Sequence, residues 1–180
     1  MLKVYDDIVP QGLQNYIEEM MTDSYFPWFI NPKTAAIEYD SALYKDSFQF
    51  VHTVFDEGQK RSQAYHEMLN LFHAIAVGTG IKFKEIYRIK ANLQTMSTMG
   101  EKFCYPPHVD QDRAHLVVIY YVNDSDGDLH IFDKIDKGYT IKQTISPRKG
   151  RVVLFDGDLY HAGRPPITSD MRIAVNFNFV

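Results

Sequence analysis

A histidine and an aspartate stand two residues apart in His108-Val-Asp110, and a second histidine, His161, follows 51 residues after the aspartate. In an extended strand, residues i and i+2 project from one face, so the first imidazole and the carboxylate can converge on one ion. Taken alone, the pair is equally what a hydrogen-bonded His and Asp on a strand would leave. His161 changes that balance, because it follows the strand-like run Arg151–Phe155 and a tight turn. The interval holds four strand candidates, enough for an antiparallel jelly roll to carry the chain out and back. Two imidazoles and one carboxylate on one side of a metal leave three positions open, the donor set of non-haem Fe(II) chemistry. Eleven residues further on, Arg172 begins the last strand-like run, where a guanidinium can take a co-substrate carboxylate in a bidentate pair.

Positioning these groups requires a sheet, and the periodicity supplies one. In residues 85–94 Tyr87, Ile89, Ala91 and Leu93 alternate with Arg88, Lys90, Asn92 and Gln94, a strand with one apolar and one polar face. The polar face has two readings of equal weight, a solvated surface or a set of substrate contacts. Further strands are expected at His115–Val122, Leu129–Phe132, Tyr139–Ile145, Arg151–Phe155 and Arg172–Val180, separated by turn-forming residues. The first half reads differently. Leu13, Ile17, Met20 and Met21 share one face of a short helix behind Pro10, and apolar residues recur at helical spacing from Ser62 to Val77 before Gly78 and Gly80. Residues 25–47 and 95–107 have no clear period and read as binding loops or lids. The expected fold is α+β and mainly β: a double-stranded β-helix, or jelly roll, with packed N-terminal helices.

The chain has 180 residues, 45% of them apolar and 23% charged, without repeats or low-complexity stretches, and is expected to form one domain over 1–180. Net charge is −4, and acids and bases are spread evenly along it. Without a basic tail or stripe, long nucleic acid is disfavoured as a partner. The single cysteine, Cys104, and the absence of a signal-like segment read as cytoplasmic, and no apolar run is long enough to span a membrane.

The order His108-Val-Asp110, Tyr120-Tyr121-Val-Asn123, Gly127-Asp128-Leu-His-Ile-Phe132, Pro147-Arg-Lys-Gly150-Arg-Val-Val-Leu-Phe155, His161 and Arg172-Ile-Ala-Val-Asn-Phe resembles the 2-oxoglutarate- and Fe(II)-dependent oxygenases of the prolyl-4-hydroxylase-like group. The resemblance covers roughly residues 88–180. It implies His108, Asp110 and His161 as iron ligands, and Arg172 as the partner of the distal 2-oxoglutarate carboxylate. Tyr121 and Tyr105 would offer phenols to the same carboxylate. Fe(II), 2-oxoglutarate and O2 are the implied cofactor and co-substrates, with ascorbate as an optional addition. The implied activity is hydroxylation of an amino-acid side chain or small molecule, with release of succinate and CO2. Two departures stand out: Gly127-Asp128 where the family often has Gly-Gly, and Arg172 where collagen-type members usually carry Lys, which argues against a collagen-type substrate.

Two other readings of the same residues remain. One is a non-catalytic jelly roll that holds a divalent ion or ligand, against which Arg172 argues, since a structural ion needs no carboxylate clamp. The other is an iron dioxygenase that does not use 2-oxoglutarate, for which no additional His or Glu ligand is suitably spaced. The remaining histidines, 52, 66, 73, 115 and 130, read as structural or surface residues, and Cys104 as buried rather than reactive. Arg148, Lys149, Arg151 and Arg164 form a basic cluster, solvated unless an anionic substrate uses it. A small molecule or short peptide is the favoured substrate.

Overall fold

The computed structural model describes residues 1–33, 48–98 and 103–180. Its elements in chain order are β1 (Leu2–Tyr5), α1 (Gln11–Thr22), β2 (Phe29–Asn31), β3 (Gln49–Asp56), β4 (Gln59–Lys60), α2 (Tyr65–Thr79), β5 (Ile86–Thr95), β6 (Leu116–Tyr121), β7 (Leu129–Ile135), β8 (Gly138–Ile145), β9 (Val152–Asp156), β10 (Tyr160–Gly163) and β11 (Met171–Phe179). A large sheet runs β1-β9-β6-β11-β5-β3-β2, with β4 paired to β3, and a small sheet runs β10-β7-β8. Every pairing is antiparallel. This is the jelly-roll architecture expected from the strand spacing.

Strict alternation along the central strands builds three layers. In β6, Val118 and Tyr120 face α1 and α2, where they meet Ile17, Met21, Met68, Leu71, Phe72 and Ile75. Val117, Ile119 and Tyr121 face the small sheet and its Leu129, Ile131 and Ile145. Because both faces are buried, β6 reads as a continuous apolar run. Strands β5 and β11 are apolar only toward the helices, through Ile89, Ala91, Ile173, Val175, Phe177 and Phe179. Their other faces carry Arg88, Lys90, Asn92, Gln94, Arg172 and Asn176, which line a cleft between the two sheets. The polar face of β5 is therefore a cleft wall and not a solvated surface.

Helix α2 starts three residues later than its apolar spacing suggests, because Ser62 precedes it in a turn. The Ser62 hydroxyl accepts from the Ala64 N–H at 3.0 Å and lies 2.6 Å from His52 Nε2, while His52 Nδ1 lies 2.6 Å from the Pro27 carbonyl. Gly80 closes the helix at φ 73°, donating its N–H to Ala76 O.

The first half holds more strand than its sequence suggests. β1 pairs with β9, β3 pairs with β5, and both flank the large sheet. A register shift between Thr53 and Phe55 breaks the period of β3, so the successive residues Val54 and Phe55 both join the helix-side core. Of the two expected loops, residues 34–47 and 99–102 lie outside the described residues. Within them, β2 pairs with β3 and residues 103–107 are buried, so this last part is a packed wall where a binding loop is expected. No helix among the described residues is long and apolar enough to cross a membrane.

Candidate active site

His108 and His161 face each other across an isolated β-bridge, in which each backbone N–H donates to the other's carbonyl at 3.0 Å. His161 sits in β10, a strand that the sequence reading, which puts this histidine just after a tight turn, does not include. The bridge fixes the imidazoles with ring centroids 4.8 Å apart. His108 Nδ1 lies 3.0 Å from the Pro106 carbonyl, and His161 Nδ1 lies 3.1 Å from that of Leu159. A carbonyl can only accept, so each Nδ1 carries the proton and each Nε2 keeps its lone pair, the tautomer a metal ligand needs.

Asp110 would supply the third ligand. Its Oδ1 accepts from Arg88 Nη2 at 2.7 Å, and its Oδ2 accepts from the side-chain amides of Asn176 and Asn178 at 2.9 Å each. His161 Nε2 lies 3.9 Å from the same Oδ2. The ligand atoms of His108, Asp110 and His161 all fall within 4.8 Å of one another, and they form the one such group of His, Cys, Asp and Glu among the described residues. Donor chemistry and spacing fit a divalent transition metal bound on one face.

Burial alone would raise the Asp110 pKa, but nearby positive charge and hydrogen bonds outweigh it and hold the carboxyl well below the usual carboxylate range. Burial, and then repulsion from His108, push His161 down to about 4 against the attraction of Asp110. Near neutral pH His161 is thus uncharged, and Arg88 and Asn176 are among the groups that favour ionised Asp110.

Arg172, 5% exposed, lies in the same cleft. Its Nη1 donates to Gln94 Oε1 at 2.7 Å, its Nη2 lies 3.5 Å from the Tyr121 hydroxyl, and its Nε is buried with no hydrogen-bond partner. No carboxylate pairs with it among the described residues. Tyr121 is fully buried beneath the guanidinium, and burial raises its pKa, so the phenol stays neutral. Tyr105 instead lines the cleft. Two glycines make room for the guanidinium. A Cβ at Gly127 would stand 2.9 Å from Arg172 Cδ and 2.7 Å from the Arg164 carbonyl, and one at Gly163 would stand 3.1 Å from Arg172 Nη1.

Sequence reasoning did not assign Arg88, Gln94, Asn176 and Asn178 their supporting contacts with Asp110 and Arg172. The polar alternation in β5 and β11 was the available signal, but which polar residue meets which depends on register, with Arg88 opposite Asn178 and Gln94 opposite Arg172. The basic cluster near residue 150 is not open to an anion: Arg148 and Arg151 pair with Asp6, Lys149 with Glu18, and Arg164 with Asp128. His66 and His73 are exposed on α2, whereas His115 and His130 are buried against the Arg113 carbonyl and the Thr144 hydroxyl. Burial raises the Cys104 thiol to about 11, so it is not nucleophilic at neutral pH.

Residues 93–180 match the model of the 2OG-Fe(II) oxygenase superfamily. This segment, just under half of the chain, carries the two histidines, Asp110 and Arg172. The fold of the whole chain agrees. A 2OG-Fe(II) oxygenase-family oxidoreductase from Burkholderia pseudomallei superposes with a TM-score of 0.72 at 12% identity, over 99% of this chain and 84% of the other. A prolyl hydroxylase from Trichoplax adhaerens, in complex with a hypoxia inducible factor peptide fragment, gives 0.67 at 13% identity, over 99% and 82%. HygX from Streptomyces hygroscopicus, with nickel and 2-oxoglutarate bound, gives 0.65 at 11% identity, over 99% and 82%. No curated protein sequence matches the chain. The fold of the whole chain is thus that of 2OG-Fe(II) oxygenases, and the matched segment holds the candidate site.

Proposed function

We propose that the chain is a 2-oxoglutarate- and Fe(II)-dependent dioxygenase that hydroxylates a small molecule or an amino-acid side chain. Its iron ligands are His108, Asp110 and His161, and Arg172 binds the distal carboxylate of 2-oxoglutarate. The observation that carries this reading is a buried arginine without a counter-ion in the same cleft as a two-histidine, one-carboxylate cluster. A structural ion would need the second feature and not the first. Bound there, Fe(II) supplies the redox chemistry by which O2 oxidises 2-oxoglutarate to succinate and CO2 and places one oxygen atom in a substrate C–H bond.

The chain's own residues bind and orient. The carbonyls of Pro106 and Leu159 fix both imidazole tautomers, so Nε2 of each faces the ion. Arg88, Asn176 and Asn178 hold the Asp110 carboxylate ionised and aimed into the cleft. Gln94 and Tyr121 steady the Arg172 guanidinium, and Ala174, between Arg172 and Asn176 on the cleft face of β11, leaves space for a short diacid. Tyr105 closes the wall beside it.

Mn(II) binding followed by 2-oxoglutarate binding, measured by calorimetry under argon, tests the ligand assignments. Succinate release with Fe(II) and O2, screened against peptide, amino-acid and nucleotide pools, tests the reaction. Loss of Mn(II) binding in His161→Ala, and metal-dependent succinate release from the native chain, are the expected results. Native-like Mn(II) affinity in that variant would refute the ligand set.

A further inference from the structure

The cleft, a cavity of about 80 Å³, is lined by three cations, Arg88, Lys90 and Arg172, against the single carboxylate of Asp110. Arg88 is committed to Asp110. On the reading proposed above, Arg172 is committed to 2-oxoglutarate. Lys90 is left: it has neither an ion pair nor a hydrogen bond among the described residues, and burial together with the like charge of Arg88 lowers its pKa. Beside it on the same face of β5 stands Asn92, also without a hydrogen bond. The neighbouring strand β3 contributes Gln49 farther along the cleft, where its Oε1 accepts from Gln94 Nε2 at 3.5 Å. One ammonium and the Asn92 amide therefore present donors to the cleft that no acceptor among the described residues receives.

We infer that Lys90, with Asn92 beside it, binds a carboxylate of the primary substrate, so that the substrate class is a small carboxylic acid. This inference rests on the proposed function, since it takes Arg172 as the co-substrate's partner. Placement supports the division of labour. Arg172 lies on β11 over Tyr121, toward the small sheet, whereas Lys90 lies on β5, toward β3, so two acids bound at once would approach the metal ligands from different strands. A carboxylate suits the site better than a phosphate. A monoanion is matched by one ammonium and a neutral amide, while a dianion calls for a second cation, and the nearest, Arg88, already has its carboxylate. A substrate with an amide or hydroxyl in that place would leave the half-buried Lys90 charge without a close counter-ion.

Ligand-observed NMR on the full chain, loaded with Zn(II) and saturating 2-oxoglutarate, tests this with matched probes: hexanoate, N-acetylleucine and N-acetylproline, each beside its primary amide. The expected result is binding of at least one acid about tenfold tighter than its amide, a difference of about 1.4 kcal/mol. Lys90→Met should abolish the preference and Lys90→Arg should retain it. Three results overturn the inference: equal binding of acids and amides, a preference that survives in Lys90→Met, and no binding of any acid up to about 10 mM, a dissociation constant worth less than about 3 kcal/mol. The 2-oxoglutarate affinity of each variant is read in the same samples. A loss in Lys90→Met as large as its loss of acid binding would assign Lys90 to the co-substrate and also overturn the inference. Failure of the native chain to bind Zn(II) or 2-oxoglutarate would instead overturn the function on which the inference rests.

Discussion

Replacing Arg172 with Met separates a ligand-binding charge from a structural one, because the two roles move opposite quantities. The guanidinium is buried, donates one short hydrogen bond to Gln94 and has no carboxylate partner among the described residues. Truncating one partner of a buried charge pair costs about 2–5 kcal/mol. Gln94 and Tyr121 remain to offer neutral contacts, so a value near 3 kcal/mol is expected, an affinity loss for 2-oxoglutarate of about 150-fold. Stability without co-substrate should barely change. Removing an uncompensated buried charge is favourable, while leaving the Gln94 carbonyl without its donor costs about 1–3 kcal/mol. A net change within about 1 kcal/mol corresponds to a melting shift of about 2–4 °C. At a 2-oxoglutarate concentration 100 times the native dissociation constant, the native chain gains about 2.7 kcal/mol and the variant less than about 0.4 kcal/mol. Differential scanning calorimetry of Mn(II)-loaded samples with and without 2-oxoglutarate reads both quantities. A variant that keeps the native co-substrate shift would show that Arg172 does not hold the acid.

Three further outcomes follow from the geometry. Ala at His108, Asp110 or His161 should each lower Mn(II) affinity more than Asn176→Ala, which disturbs only the support of Asp110 and should cost about 10–100-fold; calorimetric titration ranks them, and an equal loss in all four would contradict the assignment. In Gly127→Ala, the new methyl group meets the Arg164 carbonyl and Arg172 Cδ, so stability should fall by about 1–3 kcal/mol and 2-oxoglutarate affinity should fall with it, both read from the same melts. For the metal-free chain, His161 titrates at about 4 when folded and near its ordinary 6.5 when unfolded. The unfolded state therefore binds more protons between these values, and stability present above pH 6.5 is lost as pH falls toward 4. The loss should approach about 3 kcal/mol, seen as a falling urea midpoint that His161→Gln flattens.

Periodicity made much of this molecule legible before its structure. Alternation in residues 85–94 and 172–180 marks β5 and β11, whose two faces differ in polarity, and helical spacing marks α1 and α2, which turn one face to the core. The candidate ligands were legible from residue type and order and not from the strand argument, since His108 makes only an isolated bridge and Asp110 lies outside every strand. β3 was not, because its register shift lets Val54 and Phe55 both turn toward the core and so erases the period. β1 was missed because it is a short edge strand, with two of its four residues exposed. The contacts of Arg88 with Asp110, and of Gln94 with Arg172, join residues 22 and 78 positions apart. They are set by how strands and loops meet in space, information that no single stretch of sequence holds.

The bridge between His108 and His161 ties the two imidazoles together through main-chain hydrogen bonds that owe nothing to an ion. Such a chelate is assembled by folding, so an arriving metal has little ordering entropy to overcome. A cage that rigid, built from nitrogen and carboxylate donors, has little means of refusing the wrong guest, because affinities of such donor sets rise from iron through nickel to copper whatever the protein needs. On the proposed function, the choice of iron would then fall to the cell, because a site of these donors would also accept zinc or nickel.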